Sequence, residues 1–304
     1  MPRTITAGLD GSPESLTAAD WAAREALLRD VPLRLVHALR WQPYMYAPLG
    51  GIPQPALRPD AQGRWADHML REVEAKIAHR HPGLRITVDR VCEEPVPALL
   101  SAAEEAELLV LGSRGLGGVA GFLVGSVALA VVAGSRRPVV LVRDGLRPGY
   151  EQLPVAFDSA SGTTPFRDVV LGLDLAAPND TVIGFAFDAA SRRAAGLRVV
   201  HGWSPALSYD GNDSALNAEL RAEPTRGMPA QALDPWRNKF PGVEVTEQAV
   251  IGSAGSHLSE ASRDASLIVV GRRERRMPVG AAVGPVTQAV LHHAGAPVAV
   301  VPHD

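Results

Sequence analysis

The feature of this chain that most constrains its fold is an internal duplication. Short apolar segments that begin near its start return, in the same order, in its second half. The matching pairs are residues 5–10 with 169–174, 33–38 with 197–202, 108–112 with 267–271, and 138–142 with 297–301. The first two pairs are 164 residues apart and the last two 159, a difference that a small loop deletion explains. Four ordered matches predict a tandem repeat of one domain.

Each repeat alternates short apolar strands with segments of helical periodicity. This alternation predicts an α/β fold, with a parallel twisted sheet of five strands in each domain, helices on both faces and right-handed crossovers. A length of 304 residues suits two such domains. We expect a first domain at residues 1–143, a linker at 144–166 and a second domain at 167–304. In such sheets, ligands bind beyond the carboxyl ends of the strands, where the strand order reverses.

Apolar runs and helix signals place the elements of the first repeat. Ser12 can cap a helix whose first position suits Pro13. The segment 41–60, rich in Pro, Gly and aromatic residues, is expected to be an irregular loop. The predicted strands are 4–9, 33–39, 84–91, 108–111 and 138–142, and the predicted helices are 14–29, 61–79, 96–106 and 126–133.

Composition excludes several classes of protein. A net charge of −3 gives no electrostatic case for nucleic acid or an anionic membrane. No run of about 18 apolar residues and no signal-like N-terminus occur, which favours a cytoplasmic protein. Cys92 is the only cysteine, so neither an intramolecular disulfide nor a cysteine metal site is expected. We interpret Cys92 as a small buried residue near a strand end, with a reactive thiol as the alternative.

The stretch 108–132 reads as a buried strand, a glycine-rich loop and the start of a helix. Glycines allow close approach of a ligand to the backbone, and free N–H groups at a helix start attract phosphate. The P-loop pattern is absent, because no lysine stands near the glycines. Residues 115–120 match the glycine pattern of dinucleotide-binding sites. This match comes late in the repeat, and no acidic residue follows it at the distance that such sites require.

The pattern that fits is Gly112-x-x-Gly115, nine residues, then Gly125-Ser126. It resembles the universal stress protein family, whose ATP-binding members carry G-x-x-G, nine residues and G-[ST] after the fourth strand. The resemblance covers nearly the whole chain as two tandem domains and includes Asp10 after the first strand. It implies Rossmann-like domains of the adenine nucleotide alpha hydrolase-like type.

The resemblance also implies contacts with ATP. Asp10 and the backbone beside it would contact the adenosine, and a backbone group of Ala38 the adenine. The loop after the fourth strand would pass over the ribose and phosphates, and the helix start would bind phosphate oxygens. The implied ATP-binding residues are Gly8, Leu9, Asp10, Ala38, Leu111, Gly112, Arg114, Gly115, Gly125, Ser126 and Val127. The alternatives are that the glycines only make a flexible connection and that Asp10 only caps a helix or holds a turn.

The second repeat keeps the spacing of this pattern but not its residues. Glu274 replaces the second glycine of the motif and places negative charge where phosphate would lie. Pro285 stands for the serine and removes a hydroxyl and an N–H donor. We expect weak or no ATP binding, with a vestigial site at Asp174, Gly202, Gly271 and Gly284. The nearby arginines 272, 273, 275 and 276 are interpreted as a solvated loop, or else as an offset to the Glu274 charge.

No catalytic residues and no metal ligands from protein side chains are predicted. His292 and His293 are helix neighbours that point in different directions. His37 and His201 follow strand ends and could touch a ligand, although we interpret them as structural histidines. The nucleophile-elbow pattern GxSxG is absent.

The function that the sequence predicts is an ATP-binding regulator, with nucleotide mainly in the first domain and any Mg²⁺ held by the phosphates. One alternative is a slow ATPase or nucleotidyl-transfer enzyme that uses the same pocket. Another is a dimeric scaffold that binds no nucleotide. The apolar fifth-strand edges, 139–142 and 298–301, predict a homodimer or an intramolecular pairing of domains.

Overall fold

The computed structural model describes residues 4–39, 59–113, 124–145, 149–153, 164–203, 228–274 and 283–304. These residues divide into two compact units. Unit 1 contains the described residues of 4–145, and unit 2 contains those of 149–304. Each unit is an α/β domain with five parallel strands.

Unit 1 contains five strands and four helices among its described residues. They are β1 (Ile5–Leu9), α1 (Pro13–Arg29), β2 (Leu33–Ala38), α2 (Pro59–Arg80), β3 (Ile86–Val91), α3 (Pro95–Glu104), β4 (Leu108–Ser113), α4 (Ser126–Gly134) and β5 (Val139–Arg143). The strands are parallel in the order β3-β2-β1-β4-β5. Successive strands are therefore added on one side of β1 and then, from β4 onward, on the other side. The topological switch point lies between β1 and β4.

Unit 2 repeats this topology. Its elements are β6 (Val169–Gly172), α5 (Asp180–Arg193), β7 (Leu197–Trp203), α6 (Met228–Lys239), β8 (Val245–Ile251), α7 (Ala254–Ala261), β9 (Leu267–Arg273), α8 (Pro285–His293) and β10 (Val298–His303). The parallel order is β10-β9-β6-β7-β8. The switch point lies between β6 and β9. The predicted fold class is therefore confirmed.

Local sequence explains the start of α1. The Ser12 hydroxyl accepts a hydrogen bond from the Ser15 N–H at 3.2 Å, and Pro13 occupies the first turn. Both features were predicted from the sequence, and they leave one fewer unpaired donor at the helix start. The helix ends at Arg29, and the C-cap residue Asp30 has a left-handed backbone with φ of 52°.

The structure corrects two expectations in unit 1. Helix α2 begins at Pro59, inside the predicted loop of residues 41–60, of which 41–58 lie outside the described residues. Cys92 is exposed, not buried. The reason is that β3 lies at the edge of the sheet, next to β2 alone, is only partly buried and ends at Val91. Cys92 therefore follows the strand at an open edge.

Two described parts of the segment predicted as a linker, 149–153 and 164–166, belong to unit 2. Gln152 and Phe166 form an isolated antiparallel bridge. The Leu153 N–H donates to the Pro165 carbonyl, and the Arg167 N–H donates to the Glu151 carbonyl, each at 2.8 Å. These contacts hold the two ends of the segment together.

Candidate functional site

A cavity of about 280 Å³ lies at the carboxyl ends of β1 and β4 in unit 1, at the switch point. The residues implied to bind ATP converge on it from four separate parts of the chain. Nine of the eleven line this cavity: Gly8, Leu9, Asp10, Ala38, Leu111, Gly112, Gly125, Ser126 and Val127. Arg114 and Gly115 lie outside the described residues.

Asp10 follows β1 and organises the turn into α1. Its Oδ1 accepts hydrogen bonds from the Ser12 N–H at 2.9 Å and the Ser12 hydroxyl at 2.5 Å. Burial acts to raise the pKa of Asp10, but the hydrogen bonds from Ser12 and Ser15 outweigh it and hold the pKa below its ordinary value. The carboxylate is therefore ionised near neutral pH, at the edge of the cavity.

Gly112 allows α1 to approach the end of β4. A Cβ atom on Gly112 would lie 2.6 Å from the Glu14 carbonyl carbon and 2.7 Å from the Ser15 nitrogen. Both are backbone atoms, which cannot rotate out of the way. This glycine is therefore required for the shape of the cavity wall, in addition to its place in the predicted phosphate motif.

The opposite wall is the start of α4. Gly125 is the N-cap and supplies no side-chain hydrogen bond to the helix. Since the first N–H groups of a helix have no partner within it, the first turn of α4 presents donors and a positive dipole end. Ser126, at the first helical position, is exposed and lines the cavity. This arrangement suits an anion.

Other lining residues were not predicted. Glu14 and Ser15 come from the first turn of α1, and Pro95 and Leu99 come from α3. The sequence signal that could have located Pro95 is its position at the start of a helix that follows a strand. All such helix starts face the carboxyl edge of a parallel sheet.

His37 is a structural residue, as predicted. The ring is buried, and its Nδ1 is 2.8 Å from the Leu9 carbonyl oxygen. It meets the exposed Trp65 edge to face, with ring centroids 5.9 Å apart. These contacts hold the ends of β1 and β2 together beside the cavity.

Unit 2 has a cavity of about 700 Å³ at the equivalent switch point. Asp174, Gly271 and Gly284, which were predicted as a vestigial site, all line it. Gly202 lies in β7, paired with Val250. Pro285 begins α8 and also lines the cavity. The unit with the altered motif thus contains the larger cavity.

The structure corrects the interpretation of Arg272 as part of a solvated loop. Strand β9 extends to Arg273, so Arg272 pairs with Pro302 inside the sheet and is only 6% exposed. Its Nη2 lies 3.9 Å from the Glu274 Oε1. Burial lowers the pKa of the guanidinium, and Glu274 opposes that shift. Arg273 and Glu274 are exposed, and the arginines at 275 and 276 lie outside the described residues.

His201 occupies the position in unit 2 that His37 occupies in unit 1. It is only 4% exposed and lines the cavity. Neither ring nitrogen has a hydrogen-bond partner among the described residues. Burial lowers the pKa of His201, and the charge of Glu247 opposes that shift. Sequence reasoning interpreted this histidine as structural and did not foresee two unpaired nitrogens.

Within the part of the chain that the structure describes, no group of three or more His, Cys, Asp or Glu residues could hold a metal ion. Among the helices described, none is long and apolar enough to cross a membrane.

The fold and the two cavities define a class: tandem doubly wound α/β domains, each with a crevice at its switch point. The model of the universal stress protein family matches residues 1–143 and 165–302. The chain belongs to the universal stress protein family, as its sequence motifs predicted.

Known proteins resemble the chain over almost its full length. Universal stress protein Rv2005c of Mycobacterium tuberculosis is 31% identical over 317 residues, which cover 97% of this chain and 96% of that protein. A crystal structure of a universal stress protein from Archaeoglobus fulgidus has a TM-score of 0.65 at 17% identity and covers 99% of this chain and 98% of its own. A universal stress protein solved in complex with cAMP is 28% identical over 47% of this chain and 97% of its own, with a TM-score of 0.34.

Proposed function

We propose that this protein is a cytoplasmic ATP-binding regulator and that unit 1 holds the nucleotide. The observation that carries the proposal is the convergence on one cavity of nine residues that the family resemblance implies in ATP binding, with the uncapped start of α4 as a wall. A cavity of about 280 Å³ at a switch point is the expected place for a nucleoside.

Each part of the cavity suits one part of ATP. The first-turn N–H groups of α4 and the Ser126 hydroxyl would bind phosphate oxygens. Asp10, ionised and fixed by Ser12, would accept hydrogen bonds from ribose hydroxyls. The backbone of Ala38, at the end of β2, would pair with the adenine. Mg²⁺ would enter with the nucleotide, held by its phosphates.

The proposed role is regulation rather than turnover. Nucleotide binding at the junction of β1, α1 and α4 would alter assembly or partner binding. Light scattering with and without ATP would measure the change in assembly, including the formation of a homodimer.

The proposal is tested by replacing Ser126 with Glu. A carboxylate at the first helical position favours the helix but repels phosphate, so folding should be retained while ATP binding is lost. Ala130→Glu is the matched control, because Ala130 is exposed on the same helix but does not line the cavity. In titration calorimetry we expect Ser126→Glu to weaken ATP binding by about tenfold or more and Ala130→Glu to leave it unchanged. Equal ATP affinity in the two variants would contradict the proposal.

A further inference from the structure

His201 lies where the sheet of unit 2 is held by few strands. The pairing of β6 with β7 ends at Gly172 and Val200, so among the described residues the end of β7 pairs with β8 alone. In unit 1 the pairing of β1 with β2 reaches His37 itself. Because β8 is the outermost strand of its unit, the ends of β7 and β8 can open locally without disrupting the inner strands.

The ring of His201 is buried and has nothing to receive a charge. The residue is 4% exposed, and neither ring nitrogen has a hydrogen-bond partner among the described residues. A neutral imidazole buried in this way is unfavourable, and a protonated one is far more so, because it carries a charge and two N–H donors without acceptors. A proton on His201 therefore favours any arrangement that returns the ring to water.

The strands on either side of β7 supply no partner for this charge. Strand β6 carries no titratable residue. On β8, the charge of Glu247 favours the protonated ring, but its carboxylate is already paired with Arg237. Glu247 therefore opposes the effect of burial without cancelling it.

The helices packed against β7 and the wall of the cavity supply no partner either. On α5, Asp180 accepts a hydrogen bond from Trp236, and Asp188 pairs with Arg192. The remaining titratable groups on β7, on α5 and α7 and on the cavity wall are Arg198, Arg193, His257, Glu260, Asp174, Arg272, Arg273 and His303. None of these groups hydrogen-bonds to either nitrogen of His201.

His37 shows that the equivalent ring of unit 1 responds differently. Its Nδ1 lies 2.8 Å from the Leu9 carbonyl oxygen. Since a carbonyl oxygen only accepts, Nδ1 is the donor. A protonated imidazole keeps this N–H, so a charge on His37 retains its hydrogen bond, whereas a charge on His201 gains none.

We propose that His201 is an acid-sensitive switch, whose protonation opens the ends of β7 and β8 and the adjoining wall of the unit 2 cavity while unit 1 stays closed. The two units of this protein then differ in their response to mild acid as well as in their motifs. This inference goes beyond nucleotide binding and does not depend on it.

The switch operates below the ordinary pKa of histidine. Burial lowers the pKa of His201 from its ordinary value of 6.5 in the folded unit, and opening restores it. The closed form thus binds fewer protons than the open form at pH values just below 6.5. Its stability is fully present above that value and falls as the pH drops toward the folded pKa, by at most about tenfold in the opening equilibrium per pH unit for one proton.

Hydrogen exchange of the full chain, followed by mass spectrometry, measures this opening. Exchange is compared at about pH 7.5 and about pH 5.5 and corrected for the intrinsic pH dependence of amide exchange. In peptides that cover residues 197–203 and 245–251, we expect the opening constant to rise several-fold in acid, with about tenfold as the limit for one proton. Peptides that cover residues 33–38 and 86–91 of unit 1 should show no such rise.

Three variants separate the proton on His201 from other effects of acid. His201→Phe keeps a ring in the buried position but cannot titrate, so the rise in unit 2 should disappear. His201→Gln is uncharged and polar and should give the same result, which distinguishes the loss of the proton from the fit of a phenylalanine ring. His37→Phe is the matched control and should leave the rise in unit 2 unchanged.

The proposal is overturned if the wild-type chain shows no rise in unit 2, or if the rise persists in either His201 variant that folds. It is also overturned if unit 1 peptides of the wild-type chain open to the same extent in acid. A rise that is confined to unit 2, lost in the His201 variants and kept in His37→Phe supports it.

Discussion

The Asp10 carboxylate holds the turn between β1 and α1 through the Ser12 N–H and hydroxyl. The same side chain lines the cavity of unit 1. The sequence left two interpretations of Asp10 open, a turn residue and a ligand contact. These two roles are compatible. The turn fixes the carboxylate before any ligand arrives, which would lower the ordering cost of the proposed ATP binding.

Replacing Asp10 with Asn should lower the free energy of unfolding near neutral pH. The expected loss is about 0.5 to 1 kcal/mol, because the Asn amide oxygen can still accept the hydrogen bonds but no longer carries the charge that strengthens them, and the exposed carboxylate is partly screened by water. The pKa of Asp10 is lower in the folded chain than its ordinary value of 3.8. Its contribution is therefore fully present above that value and disappears as the pH falls through the folded pKa.

Urea denaturation at pH 7 and in acid would measure this effect. The difference between wild type and Asp10→Asn should shrink below pH about 4. Asp174→Asn is the matched variant in unit 2, where Oδ1 accepts one N–H hydrogen bond, from Ala176, and its effect at neutral pH should be smaller. A wild-type advantage of the same size at both pH values would contradict the account.

Residues could be predicted from the sequence where their role is local. Ser12 caps α1 because capping depends on a few adjacent residues. The environments of Cys92, His201 and Arg272 could not be predicted, because each depends on where a strand stops pairing with its neighbour. If β3, β6 or β9 were one residue longer or shorter, the side chain at its end would change between exposed, paired and buried. Composition does not specify the length of a strand to one residue.

At the scale of elements, the strands were the most predictable part of the chain. Strands buried on both faces of a parallel sheet are continuous apolar runs, and β1, β4 and β5 fit that description. The sequence does not distinguish the start of α2 at Pro59 from the Pro- and Gly-rich residues before it. Proline is as compatible with the first turn of a helix as with a loop.

The approach of β4 to α1 gives a prediction about Gly112. Replacing it with Ala should destabilise unit 1 by about 1 to 3 kcal/mol, because the added Cβ overlaps backbone atoms and the helix must move. Gly242→Ala is the matched control, since a Cβ there meets nothing within 4 Å. Thermal unfolding of the two variants measures the difference. Equal melting temperatures would contradict the required close approach.

Across the whole chain, the two units have one topology and two different cavities. The sequence predicted an asymmetry, because Glu274 and Pro285 replace a glycine and a serine of the motif. It could not predict that unit 2 has a cavity of about 700 Å³ against about 280 Å³ in unit 1. A cavity volume is what remains after many side chains have packed, so no short motif encodes it.

We expect one chain to carry one ATP, in unit 1. The direct measurement is to denature the freshly purified protein, separate the released nucleotides by chromatography, and count ATP per chain after saturation and removal of free ligand. We expect one ATP per wild-type chain and none from the Ser126→Glu variant. Two ATP per wild-type chain, or none, would contradict it.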